Sequence, residues 1–304
     1  MGSGYLVRRG VVGGSSEVTV TFDIQNVKIF RRGLISLITP VYNLAATTVG
    51  DYALFGGGAS GNTYYSTVDA YDTNLVRSTP TALSVGRSYL AATAIGDYAL
   101  FGGGYTGSYS STVDAYDTNL VRSTPTALSV ARSSLAATAI GDYALFGGGS
   151  TGSYSSTVDA YDTNLVRSTP TALSVGRKDF AATTLRGYAL FGGGYNGIDI
   201  YFSTVDAYDT NLVRSSMDNL LEVRSNLAAT TVGKYALFGG GNDGGSFGSD
   251  DVDIYTFDST IQVYSGTKYK FNNMVEEETA TEWKEITFDE PLNGYIKISN
   301  VEIN

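Results

Sequence analysis

The residues able to do chemistry in this chain come in matched sets, one member per copy of a repeat. Gly-x-Gly-x-x-Gly recurs as Gly102, Gly104 and Gly107 and again as Gly147, Gly149 and Gly152. Between a strand and a helix, such a run would cradle a pyrophosphate on the helix N-terminus. Here a Ser, Thr and Tyr strand pattern follows it, so the glycines read as structural. Asp69, Asp114, Asp159 and Asp206 recur in identical text, as do Asp72, Asp117, Asp162 and Asp209. Paired carboxylates do acid–base work when their environments differ; identical environments point instead to hairpin turns and bonds between copies. Arg87, Arg132, Arg177 and Arg224 stand one per copy, and together would form a cationic ring that reads an anion such as a carboxylate, or would each brace a loop. Asp243, Asp250, Asp251 and Asp253 form an acidic cluster without calcium-loop spacing, and read as a solvated loop.

What is missing narrows the chemistry further. The 304 residues hold no His and no Cys, which removes the commonest general base, the commonest transition-metal ligand and any thiolate nucleophile. We therefore expect no enzyme activity, no metal and no cofactor. A glycosidase would need two carboxylates at about 5 to 9 Å, and Asp179 with Asp199 is the pair to test. A formal charge of −10 argues against nucleic acid, whose binders cluster Lys and Arg to neutralise phosphates. No segment reaches the roughly 18 apolar residues of a membrane-spanning helix, and the first residues lack a signal-peptide pattern, so neither membrane insertion nor a compartment is indicated. A monomer is expected.

The elements that must position these residues are set by repetition. Tyr-Ala-Leu-Phe-Gly-Gly-Gly starts at Tyr52, Tyr98, Tyr143, Tyr188 and Tyr235, every 45 to 47 residues, and Ser66–Val85, Ser111–Val130 and Ser156–Val175 are identical. With 37 Gly, 23 Tyr and only 16% charged residues, the composition suits strands and turns rather than long helices. In residues 87–131, a first strand is expected at Leu90–Ile95, a second at Tyr98–Phe101, a third at Ser111–Tyr116 and a fourth at Leu120–Ser123. Gly96-Asp97 and Asp117-Thr118-Asn119 supply the turns, and Pro125 ends pairing. One such sheet cannot bury both faces alone, and stacking copies around an axis buries them against each other.

The diglycine closing an aromatic-rich strand, the Tyr-Asp pairs at Tyr71-Asp72, Tyr116-Asp117, Tyr161-Asp162 and Tyr208-Asp209, and the Arg opening each unit resemble the kelch repeat family over residues 41–264. The family's usual Trp in the fourth strand is replaced by Leu75-Val76 and its copies. The resemblance implies an all-β propeller of four-stranded blades, with ligands bound at the mouth where the variable loops emerge.

Blades are expected at 41–86, 87–131, 132–176, 177–223 and 224–264, with a partial blade at 1–40 and a tail at 265–304. Gly4–Val7, Val18–Asp23 and Gln25–Phe30 parallel strands of a sixth unit lacking its first strand, which Glu282–Phe288 or Gly294–Ile298 would supply. Six blades closed by a composite one is the favoured reading, with five blades and a separate tail as the alternative.

The copies differ chiefly in two places, the loop after the glycine run and the residues after the Arg. In a four-stranded blade both connections emerge at one end, so the differences crowd one face. They are rich in Tyr, Ser, Gly and Asn, as paratopes are. The expected ligand-binding residues are Asn43, Tyr64, Tyr65, Tyr89, Tyr105, Tyr109, Ser134, Tyr154, Asp179, Tyr195, Asn226 and Phe247. The expected function is recognition of a protein, peptide or glycan. The alternatives are a propeller enzyme acting on carbohydrate and a structural array in a surface or phage-tail fibre.

Overall fold

The computed structural model describes residues 35–197, 200–245 and 248–256, and the backbone of 259–265 and 282–288. The chain divides into two compact units, Met1–Ser36 and Leu37–Asn304, and every element below belongs to the second. Among the described residues all regular structure is β and there is no helix.

The first sheet joins β1 (Ala45–Val49), β2 (Tyr52–Gly56), β5 (Val68–Tyr71) and β6 (Arg77–Ser78) in sequence order, with a small ribbon, β3 (Ala59–Ser60) and β4 (Thr63–Tyr64), in the loop between β2 and β5. The same antiparallel order builds a second sheet from β7 (Ala91–Ile95), β8 (Tyr98–Gly102), β9 (Val113–Asp117) and β10 (Arg122–Ser123). A third holds β11 (Ala136–Ile140), β12 (Tyr143–Gly147), β13 (Val158–Asp162) and β14 (Arg167–Ser168). A fourth holds β15 (Ala181–Leu185), β16 (Tyr188–Gly192), β17 (Val205–Asp209) and β18 (Arg214–Ser216). The fifth has three strands, β19 (Ala228–Val232), β20 (Tyr235–Gly239) and β21 (Val252–Thr256). Successive first strands are neighbours, β1 beside β7, β7 beside β11, β11 beside β15 and β15 beside β19.

Strand alternation explains the packing. Leu100 and Ala99 or Phe101 lie on opposite faces of β8, and all are fully buried because each face meets a neighbouring sheet. One apolar cluster joins Leu54 and Val68 of the first sheet to Ala99, Phe101 and Tyr116 of the second, and the pattern recurs at each following junction. The first glycine of each run makes room for this. A Cβ on Gly56, Gly102, Gly147 or Gly192 would lie 2.7 to 3.0 Å from the ring of Phe101, Phe146, Phe191 or Phe238 in the next unit.

Two details depart from the sequence reading. The fourth strand is only Arg122–Ser123 and its counterparts, because Asp117 Oδ1 accepts the N–H groups of both Asn119 and Val121 and holds Leu120 at φ 61°, drawing those residues into the turn. In the fifth unit, Ser259–Ser265 (β22) pairs not with β21 but with Glu282–Phe288 (β23), as a separate antiparallel hairpin. The expected strands at Gly4–Val7, Val18–Asp23, Gln25–Phe30 and Gly294–Ile298 lie outside the described residues.

The end sheets each keep one apolar face less covered. Leu100, Leu145 and Leu190 are fully buried, whereas in the fifth sheet Val252 is 53% and Ile254 62% exposed. Leu120, Leu165 and Leu212 pack against the junctions between sheets, but Leu75 of the first sheet is exposed.

Candidate functional site

The four arginines are structural. Arg87, Arg132, Arg177 and Arg224 are wholly buried. Arg87 Nη1 lies 2.8 Å from Asp114, Arg132 Nη1 2.8 Å from Asp159 and Arg177 Nη2 2.9 Å from Asp206, and Arg224 pairs with Asp253. Each Nη2 also donates to the carbonyl of its own unit's second-strand Phe, as from Arg87 to Phe101 at 3.1 Å. Burial pulls the guanidinium pKa values of Arg87, Arg132 and Arg177 down against the opposing pull of the Asp, yet arginine remains charged. The anion-reading ring expected of them is therefore corrected: no face of any of these cations is open to a ligand, because charge taken from water must be neutralised where it is buried. The Asp partners also tie units together, since Asp114 accepts the N–H of Ser84, Asp159 that of Ser129 and Asp206 that of Ser174, each in the preceding connector. In the first unit Val41 replaces Arg, and Asp69 keeps the two other contacts of its counterparts: it accepts the N–H of Ile38 and lies 3.7 Å from Arg77, as Asp114 accepts that of Ser84 and lies 2.9 Å from Arg122.

Immediately after each Arg the backbone builds a continuous arc. Tyr89 N–H donates to Asn43 C=O at 2.9 Å, Ser134 to Tyr89 at 2.9 Å, Asp179 to Ser134 at 3.2 Å and Asn226 to Asp179 at 2.7 Å. All five residues are held at φ between 51° and 54°, the left-handed region that Asn and Asp tolerate better than Tyr or Ser.

The residue before each arc position is bridged to the residue after its own unit's glycine run. Tyr42 pairs with Ala59, Ser88 with Tyr105, Ser133 with Ser150, Lys178 with Tyr195 and Ser225 with Asn242. The two sets of variable positions are thus joined by backbone hydrogen bonds within every unit. The glycines permit it: the third glycine's N–H donates to the next unit's Arg carbonyl, as Gly104 does to Arg132 at 2.9 Å, at φ 114°. The Gly-x-Gly-x-x-Gly run therefore serves close backbone approach.

Three of the expected ligand residues have a different standing. Tyr64, Tyr109 and Tyr154, with Tyr201, occupy one position, each bridging back to the start of its own loop. They lean on the next unit. Tyr64 meets the ring of Tyr105 at 5.8 Å, Tyr109 accepts a hydrogen bond from Ser150 Oγ at 3.3 Å, Tyr154 abuts Gly197 and Tyr201 abuts Gly244. Tyr201 was missed, and counting back two residues from Ser66, Ser111, Ser156 and Ser203 rather than forward from the glycines would have aligned all four. Tyr195 is also occupied, stacked on Tyr201 at 5.4 Å with Lys178 Nζ over its ring at 5.0 Å.

Asp179 lies 3.4 Å from Lys178. Partial burial lowers the Lys178 pKa, but Asp179 and Tyr195 outweigh it, so the net shift is upward and the amine stays charged. Asp199 and Phe247 lie outside the described residues. Asn43, Tyr89 and Asn226 are exposed, while Tyr65, Tyr105, Ser134 and Asp179 are half-buried. Asp253 belongs to the buried Arg pair, Asp251 accepts from Ser249 Oγ, and Asp243 accepts the N–H of Gly245. Among the described residues no group of three or more acidic side chains could hold a metal ion.

The class these features define is an all-β protein of repeated four-stranded antiparallel sheets. Among solved structures the chain is similar to that of YjhT, with a TM-score of 0.60 and 13% identity, over 72% of this chain and 82% of that one. At this identity the likeness is one of fold. No family model matches the chain, and no curated protein does.

Proposed function

We propose that the chain is a non-enzymatic recognition module: a kelch-like propeller of six blades, the sixth a composite of the N-terminal stretch and the C-terminal tail, presenting a diversified loop face to a glycan, peptide or protein surface. The partly uncovered apolar faces of the first and fifth sheets support closure, since Val252 and Ile254 occupy a face that other units bury.

The observation that carries the functional reading is a comparison of exposed positions at the two ends of the repeat. Val76, Val121, Val166 and Val213, on the Asp-Thr-Asn side of the repeat, are 60 to 62% exposed and are identical in four units. Tyr89 is 46% exposed, yet its position reads Asn43, Tyr89, Ser134, Asp179 and Asn226. Drift acts on exposed residues regardless of which end of a sheet they occupy. Four copies similar enough to keep this exposed Val have diverged where the loops and the arc meet, as a surface selected for contact would.

The test is binding of the full chain to arrayed glycans and peptides, followed by hydrogen-exchange mapping of a hit. Protection concentrated in residues 42–43, 59–65, 88–89, 105–110, 133–134 and 150–154 is expected. Protection at the Asp-Thr-Asn turns would contradict the reading.

A further inference from the structure

We infer that the part of this face built by the first three units binds an uncharged, hydroxyl-rich ligand, a neutral oligosaccharide, with Tyr89 as its central contact. The inference rests on reading that face as a recognition surface and specifies the chemistry it accepts.

Charge is the first consideration. The loops of these units are Tyr42-Asn43, Ala59–Tyr65, Ser88-Tyr89, Tyr105–Ser110, Ser133-Ser134 and Ser150–Ser155, and none contains an acidic or basic residue. Arg87 and Arg132, beside them, are buried and paired. An anionic or cationic ligand would lose hydration here and gain no counter-charge. The charged members, Lys178, Asp179 and Asp243, belong to the fourth and fifth units.

Backbone availability is the second. The N–H groups of Tyr42, Ala59, Ser88, Tyr89, Tyr105, Ser133, Ser134 and Ser150 are all committed to bridges or to the arc. A peptide that adds its main chain to a sheet edge needs a row of free donors and acceptors, and these segments offer none. Side chains must do the recognising, and those present are Tyr, Ser, Thr and Asn, whose hydroxyl and amide groups both donate and accept. That reciprocity suits ligand hydroxyls, and the aromatic faces suit the apolar faces of sugar rings.

Tyr89 is the third. Tyr64, Tyr105 and Tyr109 hold one another edge-on, at 5.8 and 5.6 Å, and Ser88, bridged to Tyr105, places Tyr89 beside them. The Tyr89 side chain makes no hydrogen bond or ring contact within the described residues, and its backbone sits at φ 53°. Leu120, Leu165 and Leu212 adopt a similar φ while packed into the junctions between sheets, and Leu75 adopts it while exposed. The Tyr89 backbone is held in this conformation by the arc, while its side chain packs into no junction, and a bulky residue in this region is a place to look for function. Two of the sister units place Asn there, Asn43 and Asn226, which tolerates this conformation better.

The experiment uses the full chain against arrayed neutral oligohexoses, sialylated and sulfated glycans, and peptides, with Tyr89→Asn in parallel. Neutral oligohexoses should bind, and Tyr89→Asn should weaken that binding at least tenfold while its Tm equals or exceeds that of the parent. Binding confined to charged glycans or peptides through this face would overturn the inference and leave the recognition reading standing. Retention of neutral-glycan binding by Tyr89→Asn overturns the role of Tyr89. Absence of any ligand on this face overturns both.

Discussion

Gly102 and Phe146 are a matched pair across two units: a Cβ on the glycine would lie 2.7 Å from the ring carbon of the phenylalanine. Gly102 is not at positive φ, so its lack of a side chain serves packing rather than backbone conformation. Gly102→Ala should therefore destabilise the chain by about 1 to 3 kcal/mol through overpacking. Phe146→Leu, which frees space on the other side, should destabilise alone but recover part of the loss when combined with Gly102→Ala. Urea unfolding of the three variants gives the coupling, and strict additivity would show that the contact is not what the glycine serves.

The buried arginines make a second prediction. Arg132→Met removes the partner 2.8 Å from Asp159, a carboxylate with no solvent exposure, and should cost about 3 to 5 kcal/mol. Adding Asp159→Leu should restore only part of it, because it removes the charge left behind but also takes the acceptor from the Ser129 N–H and from Arg167, 3.8 Å away. If the double variant is no more stable than the single one, the pair does more than neutralise itself.

Stability should fall in alkali. Burial, with the nearby Asp114, Asp159 or Asp206 adding to it, raises the phenol pKa of Tyr116, Tyr161 and Tyr208 well above the usual 10.0, and burial with Asp218 pushes Tyr255 up to about 12. These phenols stay protonated in the fold while their unfolded counterparts ionise, so the unfolded chain binds fewer protons. Their contribution is fully present below about pH 10 and is lost as pH rises through the folded values. A Tm that declines from about pH 10 upward is expected. Tyr161→Phe should shallow the decline while costing about 1 kcal/mol at neutral pH, through the lost 2.7 Å bond to Thr126 C=O.

The repeated sheets were legible in the chain because five copies of one strand pattern leave little freedom in register: Tyr98-Ala-Leu-Phe101 starts β8 within its expected range. What was illegible depends on partners distant in sequence. Nothing local in Arg87 says that it is buried against Asp114, 27 residues on; the substitution by Val41 was the one hint that the ring need not be functional. The constancy of Tyr64, Tyr109 and Tyr154 was hidden by loops of unequal length, which displaced them relative to the glycines. The fourth strand was overestimated because the side chain of Asp117 takes two backbone donors that a strand pattern assigns to the ladder. The arc through Asn43, Tyr89, Ser134, Asp179 and Asn226 joins positions one repeat apart, and only the fold brings them into contact.

The central claim, that the variable loop face and not the scaffold is what this chain uses to bind, is tested most directly by exchanging residues the scaffold already accepts. Tyr89→Ser with Tyr105→Ser gives the second unit the residues of the third, Ser134 and Ser150, and Val121→Thr alters an exposed side chain at the other end. Isothermal titration of each with the ligand recovered from the arrays, alongside Tm, is the measurement. The account predicts at least a tenfold loss of affinity for the Tyr exchange with Tm nearly unchanged, and parental affinity for Val121→Thr. Parental affinity in the Tyr exchange, or loss only in Val121→Thr, would contradict it.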